Sequence, residues 1–349
     1  MLIDDQNLNN RLNNFDFLRL AAAFLVLIGH APLILGQSFY SWDPFKILFG
    51  HNIHAFGVVV FFIISGFLVS MSWERHQSAI EFLRARILRI FPGLVVAILF
   101  SVLFLGVFLT NKSLLVYLTD FQTYQYLFNM SLLRISYNLP GVFENNPIGT
   151  SINGSIWSLP YEFCCYLLLL FTGLLTKRIK RKYLLPILYL GTMIFYFSFQ
   201  NQLDSIYFSW IDIRVKILAP YALYFFVGSI YYQLRKQIPY RFGIFILAIL
   251  LCLLIQLLGW NDLITILILP YVILYLAFSP KINLRWAGKK GDLSYGVYLY
   301  AFPIQQTLVY FLPNIPNVAI LILLTILIVL PLAYFSWNFV EKPALKWKN

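Results

Sequence analysis

Charged residues are scarce in this sequence. Asp, Glu, Lys and Arg together make up 11% of the 349 residues, whereas about 25% is usual for a soluble domain. Hydrophobic residues make up 60% and aromatic residues 18%, and the mean hydropathy is +0.76. This composition excludes a soluble domain and predicts an integral membrane protein.

Acidic residues are rarer than basic ones, at 14 against 26, and the net charge is +12. A large positive charge can indicate nucleic-acid binding. Here, however, the Lys and Arg residues occupy short loops between apolar segments. We therefore expect membrane lipids, and no nucleic acid, as their partners.

Cysteines are few as well. Cys164, Cys165 and Cys252 all lie inside apolar segments and form neither a disulfide nor a metal-ligand pattern, so we expect them to pack in the interior and expect no metal site. A cleavable signal peptide is not expected, because the first apolar segment is too long and contains Asp16 and Arg19 near its start.

Long apolar segments dominate the chain. Ten of them approach the length that a helix needs to cross a bilayer. They predict an all-α polytopic membrane protein that forms a single domain over residues 1–349. The ten transmembrane helices are predicted at residues 15–35, 54–73, 91–109, 160–176, 183–200, 215–234, 242–258, 262–279, 292–311 and 318–338.

Basic residues alternate between the connecting loops. Loops on one side of the predicted bundle hold 21 of the 26 Lys and Arg residues, and loops on the other side hold 5. Because cytoplasmic loops carry the excess of Lys and Arg, both termini are predicted to be cytoplasmic. One outer connection, residues 110–159, is much longer than the others and is predicted to form a partly helical cap.

Ionisable residues inside the first apolar segment are candidates for function. Arg19 and His30 are eleven residues apart, which places both on one helix face with a rise of roughly 16 Å between them. Such residues are costly to bury in a membrane and indicate function. An alternative for Arg19 is an ion pair with Asp16, three residues away.

Arg86 and Arg89 share a helix face on the predicted cytoplasmic side, just before Pro92. Paired guanidinium groups suit bidentate binding of phosphate. Anchoring to anionic lipid explains basic residues at this position equally well. The residues alone leave both interpretations open.

Glu162 has two interpretations. It is predicted to lie in the first turn of the fourth span, where the helix dipole favours an anion. It also belongs to the outer half of the protein, like His30, and a carboxylate there could fix the tautomer of a histidine base. His51 and His54 are expected to be interfacial residues without a function, and His76 a solvated loop residue.

Two further segments allow either packing or binding. Ser65-Gly66 in the second span is expected to let another helix approach closely. Tyr295 and Tyr298 share a face at the start of the ninth span, where they act either as aromatic anchors at the membrane interface or as ligand contacts.

Several of these residues belong to short motifs spread over nearly the whole chain. The motifs are Phe15-Asp16-x-Leu18-Arg19 with His30 after ten intervening residues, Phe61-Phe62-x-x-Ser65-Gly66-Phe67-Leu68, Arg86-x-x-Arg89-x-x-Pro92, Asn153-Gly154-Ser155-x-Trp157-Ser158-Leu159-x-x-Glu162, Ser294-Tyr295-x-x-Tyr298-Leu299 and Glu341-x-Pro343. Each motif is weak alone. As a set, in this order, they resemble the membrane acyltransferase-3 family.

The resemblance implies an O-acyltransferase of the bacterial inner membrane. It would transfer an acyl group, most commonly acetyl from acetyl-CoA, to a hydroxyl of a cell-surface or lipid-linked glycan. On this hypothesis Arg86 and Arg89 hold the phosphates of the acyl-CoA. The other predicted donor contacts are Arg19, Tyr295, Lys289 and Lys290.

The same resemblance assigns the reaction to His30 as general base, with Glu162 orienting or stabilising it. Many members of the family place a further histidine near the ninth-span motif, where this chain has Tyr300-Ala301-Phe302, so His30 is left as the histidine base. The predicted sugar-binding residues are Asn153, Ser155 and Trp157.

Two other classes of function are compatible with the residues. A transporter or flippase of a glycan or lipid precursor would use the same charged residues to line a path and would need no acyl-CoA. A scaffold in a glycan-assembly complex would tolerate loss of both His30 and Arg86. A homo-oligomer is compatible with each of these functions.

Overall fold

The structure, a computed structural model, describes residues 13–38, 43–175, 181–199, 202–259, 263–279, 281–289 and 291–347. These residues are overwhelmingly helical, which confirms the all-α prediction. The only strands within the described ranges are β1 (Tyr207–Phe208) and β2 (Ile213–Arg214), which pair antiparallel.

Helices occur at all ten positions where spans are predicted, and three short helices lie between them. In chain order they are α1 (Phe15–Ile34), α2 (Pro44–Phe49), α3 (Ile53–His76), α4 (Ala79–Leu109), α5 (Leu114–Thr119), α6 (Phe121–Leu127), α7 (Ser158–Leu175), α8 (Arg181–Phe199), α9 (Val215–Gln233), α10 (Phe242–Leu257), α11 (Leu263–Phe278), α12 (Ser294–Phe311) and α13 (Val318–Lys346). Two π-helical stretches, Phe100–Gly106 and Trp337–Glu341, lie within α4 and α13.

Six of the described helices are long and apolar enough to cross a bilayer: α1, α3, α4, α7, α9 and α13. The apolar parts of α8, α10 and α11 are shorter. Helix α12 has 18 residues but includes the fully buried polar residues Gln305 and Gln306. The chain is thus an integral membrane protein, while the number of ten spans stays a prediction.

Helices α1 and α3 pack antiparallel in one fixed register. The rings of Phe15 and Phe67 lie 5.5 Å apart near one end. A Cβ atom added at Gly57 would meet the backbone of Ala22, and one added at Gly29 would meet His54. This register places Arg19 and His30 near opposite ends of the helix pair, with His30 beside the first turn of α3.

Helices α3 and α9 approach closely through glycines. A methyl group added at Gly66 would lie 1.8 Å from the carbonyl oxygen of Phe225, and one added at Gly228 would lie 2.3 Å from that of Ile63. The Ser229 hydroxyl donates to the Gly66 carbonyl at 3.1 Å. The packing role predicted for Ser65-Gly66 is confirmed for the glycine.

Residues 110–157, called the cap below, fold back on the bundle. The Tyr117 hydroxyl donates to the Val102 carbonyl at 2.8 Å, within the π-helical stretch of α4. At the other side of the cap, Asn146 donates to the Gln306 side chain, and Gln306 donates to the Ser151 carbonyl. The bundle therefore has a cap end and, opposite it, a basic end that carries Arg19, Arg75, Lys289 and Lys342.

We predict that Gly66→Ala lowers the midpoint of thermal unfolding in detergent. The added methyl group has no room against α9, and overpacking of this kind costs about 1–3 kcal/mol. Gly191→Ala is the matched control, because a Cβ at Gly191 in α8 meets nothing within 4 Å. Ala has the higher helix propensity, so the control should be as stable as the parent or more so. Equal behaviour of both variants would contradict the close packing.

Candidate active site

A cavity of about 630 Å³ lies between α1, α3, α4, α7 and α12, and is called the donor cavity below. Along α3 its wall runs from Phe61 to His76, and this separation of about fifteen residue steps corresponds to about 22 Å of helix. Its lining includes three predicted cations of the site, Arg19, Arg86 and Arg89, together with Glu162 and the basic residues Arg75, Arg285 and Lys289. The cavity therefore runs from the basic end into the bundle with a mainly cationic lining.

Arg86 lines this cavity from α4. Its Cζ lies 5.7 Å from the centre of the Tyr166 ring, which places the cation over the aromatic face. Its Nε is buried and makes no hydrogen bond to any described residue. A buried donor without a partner is costly, so an anionic ligand would stabilise this side chain.

Glu162 faces the same cavity from α7. Its Oε1 accepts hydrogen bonds from the Ser65 hydroxyl at 2.6 Å and from the Tyr166 hydroxyl at 2.5 Å. Helix α7 begins at Ser158, so the prediction that Glu162 lies in the first turn is wrong. The carboxylate belongs to the wall that carries Arg86, and the structure does not bring it to His30.

A buried carboxylate, Asp292, holds the other two arginines. Its Oδ2 lies 2.5 Å from an Nη of Arg89 and 3.2 Å from an Nη of Arg19. Its Oδ1 accepts from the Ser294 hydroxyl at 2.5 Å. Arg19 also pairs with Asp16 at 2.6 Å, as the alternative interpretation predicted. The contacts of Asp292 with Arg19 and Arg89 tie α1 and α4 to the start of α12.

Glu341 completes this charge cluster from α13. It is 2% exposed, its Oε1 accepts from the Ser336 hydroxyl at 2.9 Å, and its Oε2 lies 3.9 Å from Arg89. The cluster thus contains two guanidinium groups and the three carboxylates of Asp16, Asp292 and Glu341. Arg19 and Arg89 contact carboxylates of this cluster, whereas Arg86 lies beside Tyr166, which hydrogen-bonds Glu162.

The remaining predicted donor contacts lie near the basic end. Lys289 is exposed and lines the donor cavity, whereas Lys290 lies outside the described residues. The Tyr295 hydroxyl donates to the Ile90 carbonyl at 2.7 Å, and its ring lies 5.7 Å from the Arg89 guanidinium. Tyr295 therefore lines the cavity and also joins α12 to α4.

His30 lies away from the donor cavity, close to the cap. Its Nδ1 is 2.8 Å from the carbonyl oxygen of Val26, one turn earlier in α1. A carbonyl only accepts, so Nδ1 must carry the proton and the neutral ring keeps its lone pair on Nε2. The backbone of α1 fixes the tautomer that a general base requires, which is the role predicted for Glu162.

His54 is a neighbour of His30 that the sequence analysis did not select. The two ring centres are 5.1 Å apart, and Phe302 covers His30 edge-on at 5.4 Å. Behind His54, Asp43 caps α2 and accepts from the Ile53 backbone N–H at 2.8 Å. Only the register between α1 and α3 brings these residues together, and a lone histidine at the start of a span gives no such signal.

Aromatic packing separates the donor cavity from His30. Phe61 and Tyr298 line the end of the cavity, and their rings pack edge-to-face at 5.7 Å. The Tyr298 hydroxyl donates to the Ser155 carbonyl and lies 2.7 Å from the Ser158 hydroxyl, which must therefore be the donor of that second bond. The donor cavity lies on one side of this contact, and His30 lies on the other.

The family model for the acyltransferase-3 type of acyltransferase domain matches residues 12–337. The chain belongs to the acyltransferase-3 family. As a member of this family it is a membrane O-acyltransferase.

Two relatives cover nearly the whole chain. A protein named O-acetyl transferase from Shigella phage Sf6 is 29% identical over 343 residues, which are 95% of this chain and 96% of the relative. Nodulation protein 10 from Rhizobium leguminosarum bv. viciae is 29% identical over 374 residues, 97% of this chain and 94% of the relative. No solved structure matches the chain.

The predicted sugar-binding residues of the acyltransferase are mostly engaged in the fold. Asn153 is buried, donates to the Leu299 carbonyl at 2.9 Å and accepts from the Ser155 backbone N–H at 3.0 Å. Ser155 is buried as well, and its backbone carbonyl accepts a hydrogen bond from the Tyr298 hydroxyl. Trp157 is half-buried and packs on Tyr161 and Tyr221. Asn153 and Ser155 therefore hold the cap on α12.

Metal ligation has no candidate in the described ranges: no group of three or more His, Cys, Asp or Glu side chains there is placed to hold an ion. The three cysteines are free; Cys165 and Cys252 are buried, and Cys164 is half-buried.

We predict that Asp292→Asn destabilises the acyltransferase by about 3 kcal/mol, because it leaves Arg19 and Arg89 without their shared carboxylate in a mostly buried site. Asparagine keeps the side-chain oxygen that accepts from the Ser294 N–H. The measurement is denaturant unfolding in detergent micelles.

Asp120→Asn is the matched control for this prediction. Asp120 pairs with Lys112 at 3.0 Å in the solvated cap, and its helix-capping bond to the Gln122 N–H can also be kept by asparagine. We expect little change for this variant. Equal loss of stability in both variants would show that the buried cluster contributes no more to the free energy of unfolding than a solvated ion pair does.

Proposed function

We propose that this acyltransferase is an O-acetyltransferase, which takes an acetyl group from cytoplasmic acetyl-CoA and transfers it to a hydroxyl of a glycan at the outer face of the membrane. The observation that carries the proposal is the donor cavity, which has an open cationic end and leads about 22 Å along α3 into the bundle. Such a cavity suits a long ligand that is anionic at one end and neutral at the other, as an acyl-CoA is.

The orientation follows from the charges of the loops. In the sequence, 21 of the 26 Lys and Arg residues belong to the set of loops that includes Arg75, Lys289 and Lys342, so we place the basic end in the cytoplasm together with both termini. The cap then lies outside. This arrangement completes ten spans with α8, α10, α11 and α12, and the family suggests the inner membrane of a bacterium as the location.

Donor binding uses the cations that the protein leaves available. Arg86 has an unpartnered buried Nε and is placed to bind the diphosphate of acetyl-CoA. Glu162 and Tyr166 hold the wall around Arg86, so that Glu162 acts as a positioning residue in the donor cavity. Arg89 and Arg19, which Asp292 holds, shape the cavity and contribute less to phosphate binding.

Proton transfer is assigned to His30. Its Nε2 accepts the proton of the acceptor hydroxyl while that oxygen attacks the thioester carbonyl carbon. The carbon–sulfur bond breaks, the coenzyme A sulfur leaves with the electron pair, and the proton from His30 neutralises it. The Val26 carbonyl stabilises the imidazolium that forms, because it already accepts from Nδ1. Transfer through an acylated histidine uses the same geometry.

Reaching His30 requires movement of the aromatic contact at the end of the donor cavity. The acetyl group must pass between Phe61 and Tyr298, whose rings pack at 5.7 Å. Tyr298 is held by the Ser155 carbonyl of the cap. We propose that binding of the glycan under the cap shifts this segment, so that Asn153 and Ser155 act by positioning Tyr298, and Trp157 lies nearest to the sugar.

We predict that His30→Gln lowers the rate of acetyl transfer by about 10²- to 10⁴-fold, the usual contribution of a general base. The measurement is mass spectrometry of the surface glycan in cells with equal membrane abundance of each variant. His51→Gln is the control, because His51 hydrogen-bonds Tyr224 at 2.7 Å outside both functional regions and glutamine can keep that bond. Full activity of His30→Gln would remove the base assignment.

The direction of transfer can be tested with sealed membrane vesicles that contain the acyltransferase. Labelled acetyl-CoA does not cross a bilayer, so we expect transfer of label only in inside-out vesicles, whose cytoplasmic face is exposed. Right-side-out vesicles from the same cells are the control. Transfer from acetyl-CoA added to right-side-out vesicles alone would reverse the proposed orientation.

A further inference from the structure

A second cavity adjoins the donor cavity at the basic end, and is called the rim groove below. It has a volume of about 680 Å³ and lies between the loop before α12 and the last turns of α13. Gly288, Lys289 and Gly291 line both cavities. A single ligand could therefore occupy the two at once.

The rim groove is lined by groups that suit a phosphorylated nucleoside. Lys289 and Lys342 supply two exposed ammonium groups, and none of the described residues that line the groove is acidic. Its walls also include the aromatic rings of Tyr334 and Trp337. Ammonium groups bind phosphate, and indole and phenol rings stack on purine bases.

The wall of the rim groove is held in a defined geometry. Gly291 has φ +105°, and a Cβ atom added there would lie 1.9 Å from the Trp337 indole, so the loop contacts the ring directly. The Asn338 amide nitrogen donates to the Tyr334 carbonyl at 2.9 Å, which leaves its Oδ1 free to accept. Trp337 and Asn338 lie in the π-helical stretch Trp337–Glu341, and such stretches are often found at functional sites.

We infer that the rim groove binds the adenosine 3′-phosphate end of the acyl-CoA, with the purine on Trp337 and the 3′-phosphate between Lys289 and Lys342. The diphosphate then extends to Arg86, and the neutral pantetheine arm enters the donor cavity. This inference rests on the proposed function for the identity of the donor. Continuity with the donor cavity and the aromatic walls favour a nucleotide over the phosphate of a lipid headgroup.

The test compares Lys342→Gln with the parent protein in nanodiscs of phosphatidylcholine, a zwitterionic lipid without net charge. With acetyl-CoA, the variant should show a KM about tenfold higher and an unchanged kcat, because one charge-assisted hydrogen bond to phosphate is lost. With acetyl-pantetheine, which has the same thioester but no nucleotide, the variant and the parent should have equal KM values. With 3′-dephospho-acetyl-CoA, the KM of the parent should be about as high as that of the variant with acetyl-CoA.

Lys346→Gln is the matched control. Lys346 is exposed one helical turn beyond Lys342 but does not line the rim groove. Its replacement removes the same charge from the same end of the protein, and should leave the KM for acetyl-CoA unchanged. An equal rise for both variants would show a general electrostatic effect and would overturn the inference.

Three further outcomes are decisive. A rise in KM for acetyl-pantetheine as well, or no rise for acetyl-CoA, would exclude a nucleotide site. A defect of Lys342→Gln that appears only when anionic phosphatidylglycerol is added would assign the groove to lipid headgroups.

Calorimetric titration with coenzyme A separates this inference from the proposed function. If the parent binds coenzyme A and Lys342→Gln binds it about tenfold more weakly, while acetyl-CoA supports no transfer, the groove assignment stands and the proposed donor reaction fails. Absence of coenzyme A binding by the parent would overturn the groove assignment.

Discussion

The carboxylate of Asp292 is the interaction on which the arrangement of the basic end depends. Two arginines inside a membrane protein need counter-charges, because an unpaired buried guanidinium group is very costly. Asp292 meets both from the start of α12, and Glu341 adds a second contact to Arg89 from α13. Helices that are far apart in sequence thereby share one polar cluster, which fixes the wall of the donor cavity before any ligand binds.

This cluster also divides the basic residues by role. Arg19 and Arg89 have carboxylate partners within the fold, so their charge is largely compensated before a substrate arrives. Arg86 lies three residues from Arg89 on the same helix but faces Tyr166 and the cavity, with one donor unsatisfied. Two arginines of one motif therefore differ in availability, and the difference arises from Asp292, 203 residues away from Arg89 in the chain.

Features that depend on local sequence could be predicted, and features that depend on helix register could not. The positions of ten helices follow from hydropathy, and the close approach at Gly66 follows from its missing side chain. The pairing of His30 with His54, in contrast, requires the register between α1 and α3. The contact of Glu162 with Ser65 requires the rotation of α7 about its axis, which a span of nearly uniform hydropathy does not specify.

The proposed reaction, between a donor on one side of a membrane and an acceptor on the other, imposes a physical conflict. Donor and base must meet, yet a path open at both ends would conduct ions and protons through the bilayer. The contact between Phe61 and Tyr298 lies between the donor cavity and His30, so it closes the path that the donor would take to the base. Since Tyr298 is hydrogen-bonded to Ser155 of the cap and to Ser158 at the start of α7, its release can depend on what the cap binds. On the proposed function, closure in the absence of acceptor is a requirement of the chemistry, and the buried Asn153 and Ser155 would serve it by holding the cap in place.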